Sequence, residues 1–212
     1  MIENIHWLGH DSFRLDGSST VYIDPWKLGA GAVAADVILI THEHSDHFDV
    51  GDIAKIATDK TQVVGPASVT GTLPDMQVVT VVAGQTVTVG TATVTAVPAY
   101  NLDKRHPSGE LFHPPAAGGL GYVVELDGRR VYHAGDTDAI PEMHDVLCDV
   151  ALLPVSGTYV MTADEAAGAC GMITAGMFVP MHWGELVGSE EDAVRFASLC
   201  GTAVSILPLE RG

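Results

Sequence analysis

The chain has 212 residues, 47% of them hydrophobic, enough for one well-buried core in a single domain or in two tightly fused halves. Its 27 acidic residues against 10 basic ones give a formal charge of -17, and no run of Lys or Arg offsets it, which argues against nucleic acid as a partner because phosphates are held by clustered cations. Cys148, Cys170 and Cys200 are odd in number and widely spaced, so no disulfide framework or CxxC motif is expected, only buried thiols.

In chain order, "MIENIHWL", "SFRLD" and "TVYID" read as short strands, with Asp16-Gly17 as a hairpin signal. The N-terminus lacks a basic n-region and a long apolar segment, and no apolar stretch nears the ~20 residues that span a bilayer, so a cytoplasmic protein is expected. "ADVILIT" is a more apolar strand that runs into "THEHSDHFD" at 41–49, and "DVGDIAKIAT" predicts a helix capped by Asp49. A strand "TQVVG", a short helix over 66–73 and β-branched runs "MQVVTVV", "QTVTVG" and "ATVTAVPAY" follow. Residues 101–118, "NLDKRHPSGELFHPPAAG", have no period and read as a long loop, a kind of segment usually tied to function.

The second half restarts with "GYVVELDGRRVYHAGD", whose Asp127-Gly128 turn echoes "LDG" and "VY" in the first half and hints at duplication, with halves of about 1–100 and 119–212 joined by the 101–118 loop. "DVALLPV" is a buried-strand pattern, and Thr162 with Glu165 forms a capping box before Ala166, Ala169, Cys170 and Ile173 at helical spacing. "MFVPMHWG" is a strand ending in His182, and "SEEDAVRFASLC" a helix expected to bury Ala193, Phe196, Ala197 and Cys200. This order predicts an α+β or α/β fold with two mixed sheets face to face and helices outside.

The histidines of 41–49 carry the chemistry. Residues two apart on a strand end point the same way, so His42 and His44 can converge on one ion, and a following turn can bring Asp46 and His47 to the same cavity. Imidazole and carboxylate are ordinary ligands of divalent metals, whereas a bare histidine cluster is awkward to bury. The competing reading is a polar turn that happens to be rich in histidine.

The pattern H-x-H-x-D-H at His42, His44, Asp46 and His47, "AGDTD" with Asp136, "PMHWG" with His182, and "WLGHDSFRL", "IDP" and "VPAYN" together resemble the metallo-β-lactamase superfamily, in its small lactonase-like branch. The resemblance implies a four-layer αββα sandwich and a metal-dependent hydrolase of an ester-like bond in a phosphodiester, a lactone or a related small molecule. It implies one ion on His42 and His44, a second on Asp46, His47 and His182, with Asp136 bridging them. Catalysis would fall to Asp136 and to Asp46, which would orient the attacking water or take its proton. Zinc is the first expectation for the metal, with manganese, nickel or iron as alternatives, as one ion or two. Where many relatives have a third histidine for the first ion this chain has Asn101, and His106, His113 or His133 can fill the gap; His10 falls near the site. Lys104 and Arg105 can offer charge to an anionic substrate, although two solvated charges are the simpler account. A small-molecule substrate is the expected partner, without membrane, and a homo-oligomer is left open. Two other classes stay in view: an iron-dependent redox protein on the same scaffold, and a non-catalytic metal or ligand sensor.

Overall fold

The computed structural model describes residues 2–211, so Met1, with which the first expected strand begins, lies outside the described residues. Twelve strands form two six-stranded mixed sheets. The first contains β1 (Ile5–Gly9), β2 (Ser12–Leu15), β3 (Val21–Ile23), β4 (Val37–Leu39), β5 (Gln62–Gly65) and β6 (Gln77–Thr80), in chain order. β1 to β3 are antiparallel neighbours, and β3 to β6 run parallel. The second contains β7 (Thr86–Val89), β8 (Ala92–Pro98), β9 (Leu120–Leu126), β10 (Arg129–His133), β11 (Leu147–Pro154) and β12 (Thr174–Met181). Here β7 to β10 are antiparallel and β10 to β12 parallel.

Every residue of β4 is buried, as expected of a parallel strand covered on both faces. The alternation of side chains then sorts its neighbourhood. Ile23, Leu39 and Val64 face the second sheet and join Phe13, Tyr122 and Leu152 in the central core. Ile38, Ile40 and Val63 point the other way, against Ile53 and Ile56 of α1 (Val50–Ile56) and Val69 of α2 (Ala67–Thr70). On the far side, α3 (Ala163–Ala169) and α4 (Glu190–Leu199) cover β11 and β12. The layers are helix, sheet, sheet, helix.

Local signals mostly act as the residue chemistry predicts. Asp49 caps α1 by accepting from Asp52 N, and Thr162 and Glu165 form the reciprocal capping box of α3. Asp127 and Gly128 both have positive φ, 51° and 77°, the requirement of a type I′ hairpin turn. Asp16-Gly17 does not turn in this way: residues 16–20 make a longer connection, and Ser18 N donates to Asp127 Oδ2 at 2.7 Å, so the two Asp-Gly turns meet. Gly17 abuts that carboxylate so closely that a Cβ there would lie 2.5 Å from Asp127 Oδ2. The sheets do not divide at the 101–118 loop either, because β8 pairs with β9 across it and so draws β7 and β8 into the second sheet.

In α4, Ala193 and Phe196 are buried, but Ala197 and Cys200 are only half-buried at the edge of its contact face. Cys200 is therefore not a buried thiol: it ends α4 beside the end of α3, with its Sγ 2.8 Å from that of the buried Cys170. The two ends of the chain also meet. Trp7 stacks on Trp183 at 4.5 Å between ring centroids, Glu210 N donates to Trp7 O at 2.8 Å, and His182 N donates to His10 O at 3.0 Å. Among the described residues no helix is long and apolar enough to cross a membrane.

Candidate metal centre

The chemistry-bearing side chains gather where strands end. His10 and Asp11 follow β1, Asp24 follows β3, residues 41–47 follow β4, Asp136 follows β10 and His182 follows β12. Three of these residues hold the left-handed backbone that non-glycine residues avoid: His10 at φ 53°, Asp24 at 47° and His182 at 59°. Such conformations cost about 1–3 kcal/mol each and persist where the surroundings impose them. Gly135 (φ 65°) lets the chain turn toward Asp136, since a Cβ there would sit 2.5 Å from Leu120 O.

His42 Nε2 lies 3.1 Å from His44 Nδ1, which lies 3.2 Å from His113 Nε2. His113 Nε2 is in turn 3.3 Å from Asp136 Oδ2. On the other side of Asp136, His47 Nε2 stands 3.3 Å from Oδ1 and His182 Nε2 3.4 Å from Oδ2. Asp46 Oδ2 completes the ring, 3.7 Å from His47 Nε2 and 3.2 Å from His10 Nε2. One buried carboxylate thus joins two groups of ligand-type atoms.

The outer nitrogens fix which way the lone pairs point. His47 Nδ1 donates to Asp24 Oδ2 at 2.7 Å, and a carboxylate can only accept. Thr41 Oγ1 donates to Asp24 at 2.6 Å and so accepts from His42 Nδ1 at 3.0 Å. His113 Nδ1 donates to Asn101 Oδ1 at 3.0 Å, and His182 Nδ1 to Ser156 Oγ at 2.9 Å, whose own proton goes to Thr158 O. In these tautomers the Nε2 lone pairs of His42, His47, His113 and His182 face inward.

Facing them are carboxylates, which also accept. His47 Nε2, His182 Nε2, Asp136 Oδ1 and both oxygens of Asp11 are buried without a hydrogen-bond partner. With neutral imidazoles, the form that binds metal, acceptors turn on acceptors in a buried pocket, which is costly, and cations remove the conflict. Around a tetrahedral ion with bonds near 2.1 Å, ligand atoms stand about 3.4 Å apart, much as these do. The residues fit one or two divalent metals.

The electrostatics show the same demand for positive charge, which without a cation falls to protons on the imidazoles of His47 and His182: after burial, which acts downward, Asp136 and Asp24 hold His47 well above its ordinary value. Burial alone would raise Asp136, yet His182, His47 and His113 hold it well below the usual carboxylate range. Burial pushes His42 well down, aided by His47. For His182 burial acts downward too, but Asp136 and Asp11 outweigh it and lift it to about 9. Burial works against ionisation of Asp46 as well, yet the bond from His10 and the nearness of His47 hold it below its ordinary value.

The remaining candidates separate. His113 joins the first group, whereas His106 stays exposed and packs on Phe112 at 3.8 Å. His133 is buried but turned away, bonding Asp11 O at 2.9 Å and Gly135 N at 3.2 Å. Asn101 aims at no ligand position. Its Oδ1 accepts from both His113 N (2.8 Å) and His113 Nδ1, so it orients the histidine brought in by the loop. Asn101→Ala is expected to lower metal affinity of the first group about 10- to 100-fold, as losses of orienting partners do, read by competition with a chromogenic chelator. Lys104 is tied to Asp103 and Glu165 at 2.7 and 2.9 Å, Arg105 donates to Gly109 O, and neither lines the cleft beside the cluster described below.

The sequence patterns assign no role to Asp11, Ser156 or Asp138. Asp138, the second acid of "AGDTD", anchors the long loop by accepting from Leu102 N at 2.6 Å and Asp103 N at 3.1 Å. A cleft of about 160 Å³ opens beside His42, His44, His113 and Asp136, walled by Ala99, Phe112, Pro114, Ala117 and Leu120. A larger groove of about 400 Å³ on β8 and β9 contains none of the cluster.

A family model described as a β-lactamase superfamily domain matches residues 4–182. Proteins named UPF0173 metal-dependent hydrolase are similar over nearly the whole chain. That of Thermococcus onnurineus is 32% identical, over 98% of this chain and 96% of its own, and that of Archaeoglobus fulgidus 34%, over 91% and 88%. A crystal structure of a protein described as a metal-dependent hydrolase from Parabacteroides distasonis superposes with a TM-score of 0.84 at 32% identity, covering 97% of this chain and 93% of that one. The chain belongs to the metal-dependent hydrolases of the metallo-β-lactamase superfamily.

Proposed function

We propose that the protein hydrolyses an ester-like bond in a small, weakly charged substrate, an acyl ester or lactone in preference to a phosphodiester. The carrying observation is the inward convergence of four imidazole lone pairs and Asp136 at the side of a small cleft walled by apolar residues and lacking Lys or Arg. The first ion would rest on His42, His44 and His113, the second on Asp46, His47 and His182, with Asp136 shared. Bound there, divalent cations supply Lewis acidity and lower the pKa of water toward neutrality.

The chain's own groups do the rest. Asp46 is the partly exposed carboxylate of the cluster, kept ionised by His10, and takes the proton of the attacking water. Phe112, Pro114 and Ala117 pack the substrate's carbon skeleton and shed water from it. His44, exposed at the mouth, leaves the route inward open to solvent.

Zinc- and manganese-loaded protein should be assayed against small lactones, aryl esters and bis(p-nitrophenyl) phosphate, with and without chelator. Chelator-sensitive turnover with kcat/KM highest for the acyl substrates is expected. Faster cleavage of the phosphodiester, or turnover that chelation does not touch, defeats this reading.

A further inference from the structure

Asp11 lies outside the H-x-H-x-D-H pattern, and among the described residues it is the one carboxylate with both oxygens buried and without a hydrogen-bond partner. Its side chain is 0% exposed, and neither oxygen has a hydrogen-bond donor. Oδ2 instead faces three imidazole Nε2 atoms: His10 at 3.5 Å, His47 at 3.7 Å and His182 at 3.8 Å. When neutral, the last two carry their protons on the far nitrogen, toward Asp24 and Ser156, and present lone pairs to the carboxylate. His10, Asp11, His47 and His182 offer four atoms all within 4.8 Å of one another.

We propose that Asp11 is an additional carboxylate ligand of the second metal position, sharing it with Asp46, His47, His182 and Asp136. With three carboxylates and two imidazoles, that position is richer in oxygen than the three-histidine position beside it. Oxygen-rich sets suit manganese or ferrous iron, and imidazole-rich sets suit zinc. The two positions therefore differ in preference: the His42, His44 and His113 group takes zinc, and the position holding Asp11 takes the harder cation.

The inference rests on the reading of the cluster as a metal centre but not on any substrate, so its test reads metal alone. Metal-free wild type, Asp11→Asn and His182→Ala are titrated with manganese and with zinc, followed by electron paramagnetic resonance for manganese and mass spectrometry for total metal. Wild type is expected to bind two ions, and Asp11→Asn to lose about 10- to 100-fold in manganese affinity at one of them with a smaller change for zinc. The metal-free Asp11→Asn protein should melt no lower than wild type, because it sheds a buried carboxylate whose oxygens accept no hydrogen bond. Two ions in wild type with manganese affinity unchanged in Asp11→Asn would overturn the role of Asp11. A wild type that binds no ion at the position His182→Ala removes would overturn the metal centre as well. Should Asp11→Asn fail to fold, X-ray absorption of manganese-loaded wild type decides: two imidazoles and fewer than three carboxylates around the ion would refute the assignment.

Discussion

Asp136→Ala is expected to reduce hydrolysis by at least about 1000-fold and to leave the protein holding at most one metal ion. The side chain lies 3.3–3.4 Å from His47, His113 and His182, so it is the group through which both sets of ligand atoms are joined. Removing it takes away the anion that would offset the repulsion of two nearby cations, an effect of several kcal/mol, and each 1.36 kcal/mol is tenfold in rate. The fold should persist, since Asp136 follows the end of β10 and belongs to neither apolar cluster. Activity equal to wild type in protein of matched circular dichroism would dispose of the shared-carboxylate assignment.

Asp24 tests the layer behind the ligands. It accepts from Thr41 N at 2.8 Å, Thr41 Oγ1 at 2.6 Å and His47 Nδ1 at 2.7 Å, all in full burial. Asp24→Asn retains the shape and the tolerance of Asx residues for left-handed backbone, so it should fold while binding metal about 10- to 100-fold more weakly. Asp24→Leu leaves three buried donors without an acceptor and adds strain at φ 47°. It should cost about 3–5 kcal/mol, the scale on which a broken buried polar pair destabilises, and lower Tm by roughly 6–20 °C. Calorimetry on the metal-free proteins separates the two: similar melting of Asp24→Leu and wild type would mean that Asp24 is an ordinary turn residue.

What was legible beforehand follows from range. Signals carried by adjacent residues worked: Asp49 and Thr162 cap the helices they precede, and Asp127-Gly128 turns as its dihedral needs require. The clustering of His42, His44, Asp46 and His47 was visible for the same reason, since all four lie within six positions. Signals that depend on distant partners were not. Asp16-Gly17 looks like its twin at 127–128, yet it packs against that twin instead of forming a tight turn. Asn101 stood where a ligand was missing, but its use became plain only once the loop brought His113 back to it across twelve residues. Asp11 stands inside "WLGHDSFRL", yet nothing near it in sequence tells that its carboxylate would be sealed in without a donor.

The meeting of the chain's two ends sets a schedule for biosynthesis. His10 and Asp11 leave the ribosome early, whereas His182, whose backbone bonds back to His10, comes more than 170 residues later. At ~5–20 residues per second that is a wait of roughly 10 to 35 s. During it, the nascent chain carries the 41–47 cluster with no His182 to close the ring, and Trp7 has neither Trp183 nor the 209–210 segment to cover it. On the two-ion reading proposed above, a second ion can be held only after translation has passed the last strand, and a ribosome stalled before that point displays a half-built β1 edge with Trp7 uncovered.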